Sequence, residues 1–409
     1  MQAEDLRAAL NILDPEHPLS TPEELAEFFV PRPDSPLEDL KILLEDTVKP
    51  QKFLFTGHRG SGKSTELAKL KHSLGDDFFI IQYSIKSILN LFDLSYVDVV
   101  LSLALELFKK ATDEKIKVKP EVLHHILDFT KEITKEVVTG IDTQAEVGAE
   151  LNLYVVKLTS KLRTEDTTRT SIREKVQTRL SDMLESVAIL AEEIKRVTGR
   201  KLLAIVEDLD KTDLDTAKQL FYSHATSLLA PPISIIYTFP TALRHDNDFM
   251  QIEMNFPNVC ILPNLKTRLL DGTPDERGAM RLRAILTKRV SETLFAPGVP
   301  EKLTELSSGI PRELIALSRY ATLEARKMGH ATITLKAVER AARRKRMDYE
   351  VLLTSKQLNL LRKIHETKNI ENDEDHRALL HNLSALEYRN SRVWYDVHPL
   401  VEPLLPEAS

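Results

Sequence analysis

The stretch F-T-G-H-R-G-S-G-K-S-T, residues 55–65, constrains the fold of this chain more than any other. It puts Gly57, Gly60 and Gly62 within a few positions of one another in a protein with only 12 glycines. Glycine has no Cβ and adopts positive φ freely, so successive backbone N–H groups can curl around an anion. The spacing Gly57-x-x-x-x-Gly62-Lys63-Ser64 is that of a P-loop, in which the lysine reaches β and γ phosphates and the hydroxyl serves Mg2+. His58, Arg59, Gly60, Ser61 and Thr65 complete the expected cradle. The flanks suit it too. Lys52-Phe53-Leu54-Phe55-Thr56 is an apolar run fit for a buried strand, and Thr65 to Leu70 has the periodicity of a helix whose N-terminus faces the anion. At this glycine content, chance supplies roughly 0.003 such matches in a chain of this length, which excludes an accidental turn.

Further apolar runs extend the pattern to a sheet. Phe78 to Tyr83, Leu202 to Val206, Ile233 to Thr238 and Val259 to Leu262 read as four more strands separated by helical stretches, which predicts an α/β parallel sheet with flanking helices. Residues 1–50 carry seven of the prolines and predict an extended lead-in followed by a helix from Pro36 to Glu45. Residues 51–270 form the nucleotide core. About 118 residues separate its second and third strands, far more than a crossover needs, so an insertion spans about 86–200. Asn90 to Lys110 and Ser171 to Arg196 in it have helical spacing, whereas Ala145 to Val156 partly alternates and predicts a hairpin. The insertion is either an interaction element or a structural elaboration. Residues 271–348 read as a helical lid, with helices over Glu276–Leu294, Pro300–Ser307, Arg312–Met328 and Leu335–Met347. Residues 349–409 read as helix, helix and β-hairpin around an Asn390-Ser391 turn, then a short helix from His398 to Leu405: the plan of a winged helix.

Net charge of −6 gives no global attraction to nucleic acid or anionic membrane, so such binding would need a local patch. Cys260 is the single cysteine, which excludes an intramolecular disulfide or a cysteine zinc cluster. With no signal peptide or long apolar span, the chain reads as cytoplasmic.

Hydrolysis at a P-loop needs carboxylates at a neighbouring strand end, one for the metal and its water shell and one for the attacking water. The run L-L-A-I-V-E-D-L-D, residues 202–210, supplies them: Glu207 for the metal together with Ser64, Asp208 as base, and Asp210 to organise the cluster. Thr238, at the end of the fourth strand, is placed to contact the γ-phosphate or lytic water, or else caps the strand. Arg312 falls in the first turn of a predicted helix, where a cation is unfavourable unless an anion faces it. Asp210-Lys211-Thr212-Asp213 has the form of a guanine-reading K-x-D, but it follows the acidic strand directly and no Asp-x-x-Gly precedes it.

Together these residues resemble the AAA+ and STAND branches of P-loop ATPases, most of all bacterial relatives of the ORC/Cdc6-type AAA+ proteins. G-H-R-G-S-G-K-S-T resembles Walker A, V-E-D-L-D Walker B, I-I-Y-T the sensor 1 strand and G-I-P-R-E-L sensor 2; Arg32 in F-V-P-R-P resembles the residue preceding the base-binding segment. The resemblance spans about 30–405 and implies ATP and Mg2+ as cofactors, a homo-oligomer and ATPase activity. Many relatives carry Asp-Glu where this chain has Glu207-Asp208, so its base is one methylene shorter and turnover is expected to be slow. Arg268, Arg277, Arg281, Arg289, Arg169 and Arg173 all remain candidates for an arginine finger.

In that family the winged helix either grips DNA or packs on the nucleotide domain as a switch. The expected recognition helix, Asp373 to Asn382, opens with three acids that repel phosphate, against only Arg389 and Arg392 in the wing. The basic run from Arg340 to Arg346 falls near a predicted helix end, where the dipole favours cations without DNA. The preferred expectation is a nucleotide-driven switch or oligomerising ATPase that controls a partner protein. The alternative is an ORC/Cdc6-like ATPase that uses its winged helix on DNA.

Overall fold

The computed structural model describes residues 2–135, 147–164, 166–389 and 392–407. Five strands, β1 (Lys52–Thr56), β2 (Phe78–Ser84), β3 (Lys201–Glu207), β4 (Ser234–Phe239) and β5 (Asn258–Ile261), form a parallel sheet in the order β2-β3-β4-β1-β5. Both faces are covered, which is why the strands are continuous apolar runs. Phe53, Phe55, Leu203, Ile205 and Ile236 pack with the helices Leu37–Asp46 and Lys63–Leu74; Leu54, Phe79, Ala204, Val206 and Tyr237 face the opposite side. Strand β1 lies between β4 and β5, so the loop at its C-terminal end opens into the crevice where strand order reverses.

The expectation of an extended N-terminal lead-in is corrected. Helices span Leu6–Ile12, Pro22–Phe28 and Leu37–Asp46; Pro22 and Pro36 stand at helix starts, and the other prolines fall in the connections. Pro22 occupies the first turn behind a Thr21/Glu24 capping box. Leu6, Ala9 and Leu13 join the lid core with Leu314, Leu317 and Ala321.

In the insertion the expected hairpin is also overturned. Val147–Thr164 is a helix; Ala145 and Glu146 lie outside the described residues. Leu151, Val155, Leu158 and Leu162 are buried at helical spacing, while Leu153 and Val156 are exposed, so the apparent alternation was a partial reading of a 3.6-residue period. The stretch with helical spacing from Ser171 to Arg196 is helical and falls in two helices, Asp166–Thr178 and Leu180–Thr198, which meet at Arg179 with φ −126°. With Tyr96–Asp113 and Pro120–Thr134 they make a helical bundle on β2 and β3.

The lid helices are Glu276–Thr287, Val299–Leu306, Pro311–Lys327 and Leu335–Leu352. The last is longer than expected, so the basic run lies inside it and the helix-end explanation fails. Side-chain partners replace it: Arg340 pairs with Glu324 at 3.0 Å, Lys345 pairs with Glu313, and Arg344 lies over the Tyr320 ring. The C-terminal helices Ser355–Thr367 and Glu374–His381 precede the antiparallel β6 (Ala385–Arg389) and β7 (Val393–Val397), a winged helix. Its expected Asn390-Ser391 turn lies outside the described residues, and the expected closing helix is only a 3-10 turn at Glu402–Leu404 with Pro403 in its first turn. Among the described residues no helix is long and apolar enough to cross a membrane.

Candidate functional site

The loop between β1 and the helix Lys63–Leu74 needs its glycines. Gly60 and Gly62 have φ of +79° and +101°, and a Cβ on Gly57 would lie 2.7 Å from the Leu262 carbonyl oxygen. Lys63 Nζ donates to the carbonyls of Gly57 at 2.7 Å and His58 at 3.1 Å, and pairs with Asp210 Oδ2 at 2.8 Å. Burial disfavours the charge on Asp210, but Lys63 and the Thr238 hydroxyl outweigh it and hold the carboxyl below its ordinary range. Ser61 Oγ is buried without a partner, while Thr65 Oγ1 accepts the Leu19 N–H at 3.3 Å.

Two carboxylates stand where β3 ends. Glu207 accepts from Gln82 Nε2 at 2.8 Å and from the Ser64 hydroxyl; burial pushes its carboxyl up. A hydroxyl in contact with a carboxylate beside a phosphate loop fits Mg2+, which takes few protein oxygens and completes its shell with water and phosphate. Asp208 adopts φ +71°, a left-handed conformation uncommon for a residue with a Cβ. Its Oδ2 accepts from Ser84 Oγ at 2.5 Å and its Oδ1 meets Lys211 Nζ at 2.6 Å. Thr238 is buried, and its Oγ1 accepts the Leu209 N–H at 3.1 Å, bracing the turn after Asp208.

The lid and N-terminal segment close on one side of the loop. The Arg312 N–H donates to the Gly60 carbonyl at 3.2 Å, and a Cβ on Gly60 would lie 2.7 Å from Arg312 Cβ. Arg312 Nε donates to the Pro15 carbonyl at 3.2 Å. Arg32 donates to the carbonyls of Ser61 and Pro263 and approaches Glu66, and burial pushes its guanidinium down. Arg32, Gly62, Lys63, Asp208, Thr238 and Arg312 share a cleft of about 120 Å³.

The winged helix closes on the other side, through contacts that sequence reading missed. His58 Nε2 accepts the Glu387 N–H of β6 at 2.7 Å, and Arg59 Nη2 meets His381 Nε2 at 2.8 Å while another bond from Arg59 reaches the Lys211 carbonyl. Burial lowers both His58 and His381 to about 4, so both are neutral near pH 7. The Glu387 carboxylate is gripped by Arg244, His245 and Arg389 at 2.9, 3.0 and 2.8 Å. Burial opposes its charge, but His245 and Arg244 hold its carboxyl well below the usual range. The one available signal was an acid in the buried strand A-L-E-Y-R, which requires cationic partners somewhere in the fold. The expected recognition helix packs inward: His376, Leu379 and Leu380 are buried, and Arg377 approaches Asp246 at 3.7 Å. Tyr388 stacks on Trp394, and its hydroxyl bonds Ser308 Oγ at 2.8 Å in the loop that leads to Arg312.

Most finger candidates are committed within the chain. Arg169 and Arg173 pair with Asp93, Arg173 also with Asp98, and Arg268 with Glu305 and Glu402. Arg289 lies over the Phe28 ring and bonds its own helix, as does Arg281 through the Arg277 carbonyl; Arg277 is exposed.

No protein-family model and no curated protein matches the chain. Solved structures do. The chain is similar to Cdc6p from Pyrobaculum aerophilum, with 12% identity and a TM-score of 0.45 over 97% of this chain and 98% of that one. A Walker-type ATPase of Pyrococcus abyssi gives 15% identity and 0.47 over 96% and 99%; the Aeropyrum pernix ORC1 protein in complex with DNA gives 14% and 0.42 over 97% and 95%. At these identities the likeness is one of fold alone.

Proposed function

We propose that this chain binds ATP with Mg2+ at the P-loop, hydrolyses it slowly, and uses the winged helix to pass the nucleotide state to a partner protein. The observation that carries the reading is the direct bonding of two P-loop residues, His58 and Arg59, to the winged helix at Glu387 and His381. Phosphates entering the loop draw on the same backbone and side chains that hold that domain in place.

In this reading the N–H groups of residues 57–65 bind the phosphates and Lys63 leaves Asp210 for the β and γ oxygens. Ser64 and Glu207 hold Mg2+, which when bound offsets phosphate charge. Asp208 accepts the proton of the attacking water, Thr238 keeps the Asp208 turn in register, and Arg312 reports the γ-phosphate to the lid. Arg32 fixes the N-terminal segment against the base. The cleft of about 120 Å³ is smaller than ligand pockets of about 300–1,000 Å³, so nucleotide entry has to widen it. Homo-oligomerisation is part of the proposal, with the finger supplied by a second copy.

Titration with MgATP and turnover assays test it. Lys63→Ala abolishes binding, whereas Asp208→Asn binds ATP and fails to turn it over. Normal hydrolysis by Asp208→Asn contradicts the assignment of the base. ATP-stimulated DNA binding at low salt would instead support the origin-type reading.

A further inference from the structure

Asp208 is the group assigned above to take a proton from water, yet both of its oxygens are occupied. Ser84 Oγ donates to Oδ2 at 2.5 Å and the Lys211 ammonium sits 2.6 Å from Oδ1. Each oxygen keeps a second lone-pair site, but the Lys211 ammonium occupies the near side of Oδ1 and keeps a water from it. The two restraints differ in kind. Ser84 is fixed at the end of β2, whereas Lys211 holds Asp208 through a flexible four-carbon stem that is about a quarter exposed, at 27%.

The backbone around Lys211 is anchored. Its N–H donates to the Asp208 carbonyl at 3.1 Å, and its own carbonyl accepts from Arg59 at 3.2 Å. Only the side chain is free to move. It lines the same cleft as Lys63, Asp208, Asp210 and Thr238. A dianionic γ-phosphate in that cleft competes with a singly charged carboxylate for the ammonium, and the carboxylate is the weaker partner.

We infer that Lys211 is a positioning residue that holds Asp208 out of reaction and releases it when the γ-phosphate draws the ammonium away. The inference rests on the ATPase reading above. In the step it restrains, the water oxygen forms a bond to Pγ, the bond from Pγ to the bridging oxygen breaks, and ADP leaves with the electron pair. The water proton passes to Oδ1 of Asp208, the oxygen Lys211 has vacated. Because Arg59 holds both the Lys211 carbonyl and His381, the restraint lies on the path between the winged helix and the base.

The test is steady-state MgATP turnover by the full chain, with nucleotide affinity measured separately by calorimetry. Lys211→Met keeps the stem and removes the charge; kcat rises at least about five-fold with KM and Kd for ATP little changed. Lys211→Arg stays near the wild-type rate. The gain disappears in Lys211→Met/Asp208→Asn, a result that a general loosening of the fold does not produce. Lys211→Gln repeats the measurement if the methionine variant folds poorly. Unchanged or reduced kcat in a variant that still binds ATP overturns the role of Lys211 and leaves the ATPase reading intact. Failure of the wild type to bind MgATP overturns both.

Discussion

Two surfaces close on the P-loop, and they are built from different materials. The lid seam is backbone against backbone: Gly60 on Arg312, and Gly309 so near the connector after β5 that a Cβ would lie 1.6 Å from the Leu265 carbonyl oxygen. The winged-helix seam is made of polar pairs, a buried one between His58 and Glu387 and a half-buried one between Arg59 and His381. A close-packed seam resists change because any added atom is felt. A polar seam can exchange its partners for phosphate or water at small net cost, provided no group is left unpaired. Rigidity therefore belongs to the lid seam and switching to the winged-helix seam.

The largest effect comes from breaking the lid seam. Gly309→Ala adds a Cβ where none fits, at φ +84°, and is expected to destabilise the chain by about 3 kcal/mol or more in urea unfolding, with loss of nucleotide affinity as Arg312 is displaced. Next is Glu387→Ala, which leaves Arg244 largely buried without its carboxylate. We expect a loss of about 2–3 kcal/mol that falls on domain contact rather than on the sheet. Proteolysis near Leu353 then accelerates while far-UV circular dichroism stays unchanged. Equal protection of the linker in the variant contradicts a detachable winged helix.

Acid sharpens the same comparison. His58 and His381 are held near 4 in the docked state against about 6.5 when free, so the undocked chain binds more protons between these values. Docking is therefore flat above about pH 6.5 and weakens as pH falls toward 4, read by linker proteolysis or small-angle scattering. Glu387, held low, adds its loss only at more acid pH. The smallest effect is that of His381→Ala, about 1 kcal/mol, because Arg59 keeps its bond to the Lys211 carbonyl. That substitution also removes part of the acid response.

That the glycine loop and Asp208 meet in one cleft was legible in sequence because local rules fix them. A strand, a glycine spacing and a helix start sit within a few residues, and Glu207 and Asp208 follow an unbroken apolar strand. The insertion was less legible: Leu151 and Val155, four apart, share one face of a helix and equally one face of a strand, and Leu153 between them completes the alternation, although it is exposed. The bonds from His58 and Arg59 to the winged helix were not legible at all. They join positions more than 300 residues apart, and nothing local distinguishes a P-loop histidine that faces phosphate from one that faces Glu387.

Trp394 is the chain's single tryptophan; it is buried, stacked on Tyr388, and one residue pair away from the Ser308–Arg312 loop. Its fluorescence therefore reports directly whether the winged helix responds to nucleotide. Saturating MgATP is expected to shift the emission of the wild type and of Asp208→Asn, and to leave Lys63→Ala unchanged. A Trp394 spectrum that stays fixed in the wild type while calorimetry shows ATP bound would contradict the coupling of P-loop to winged helix.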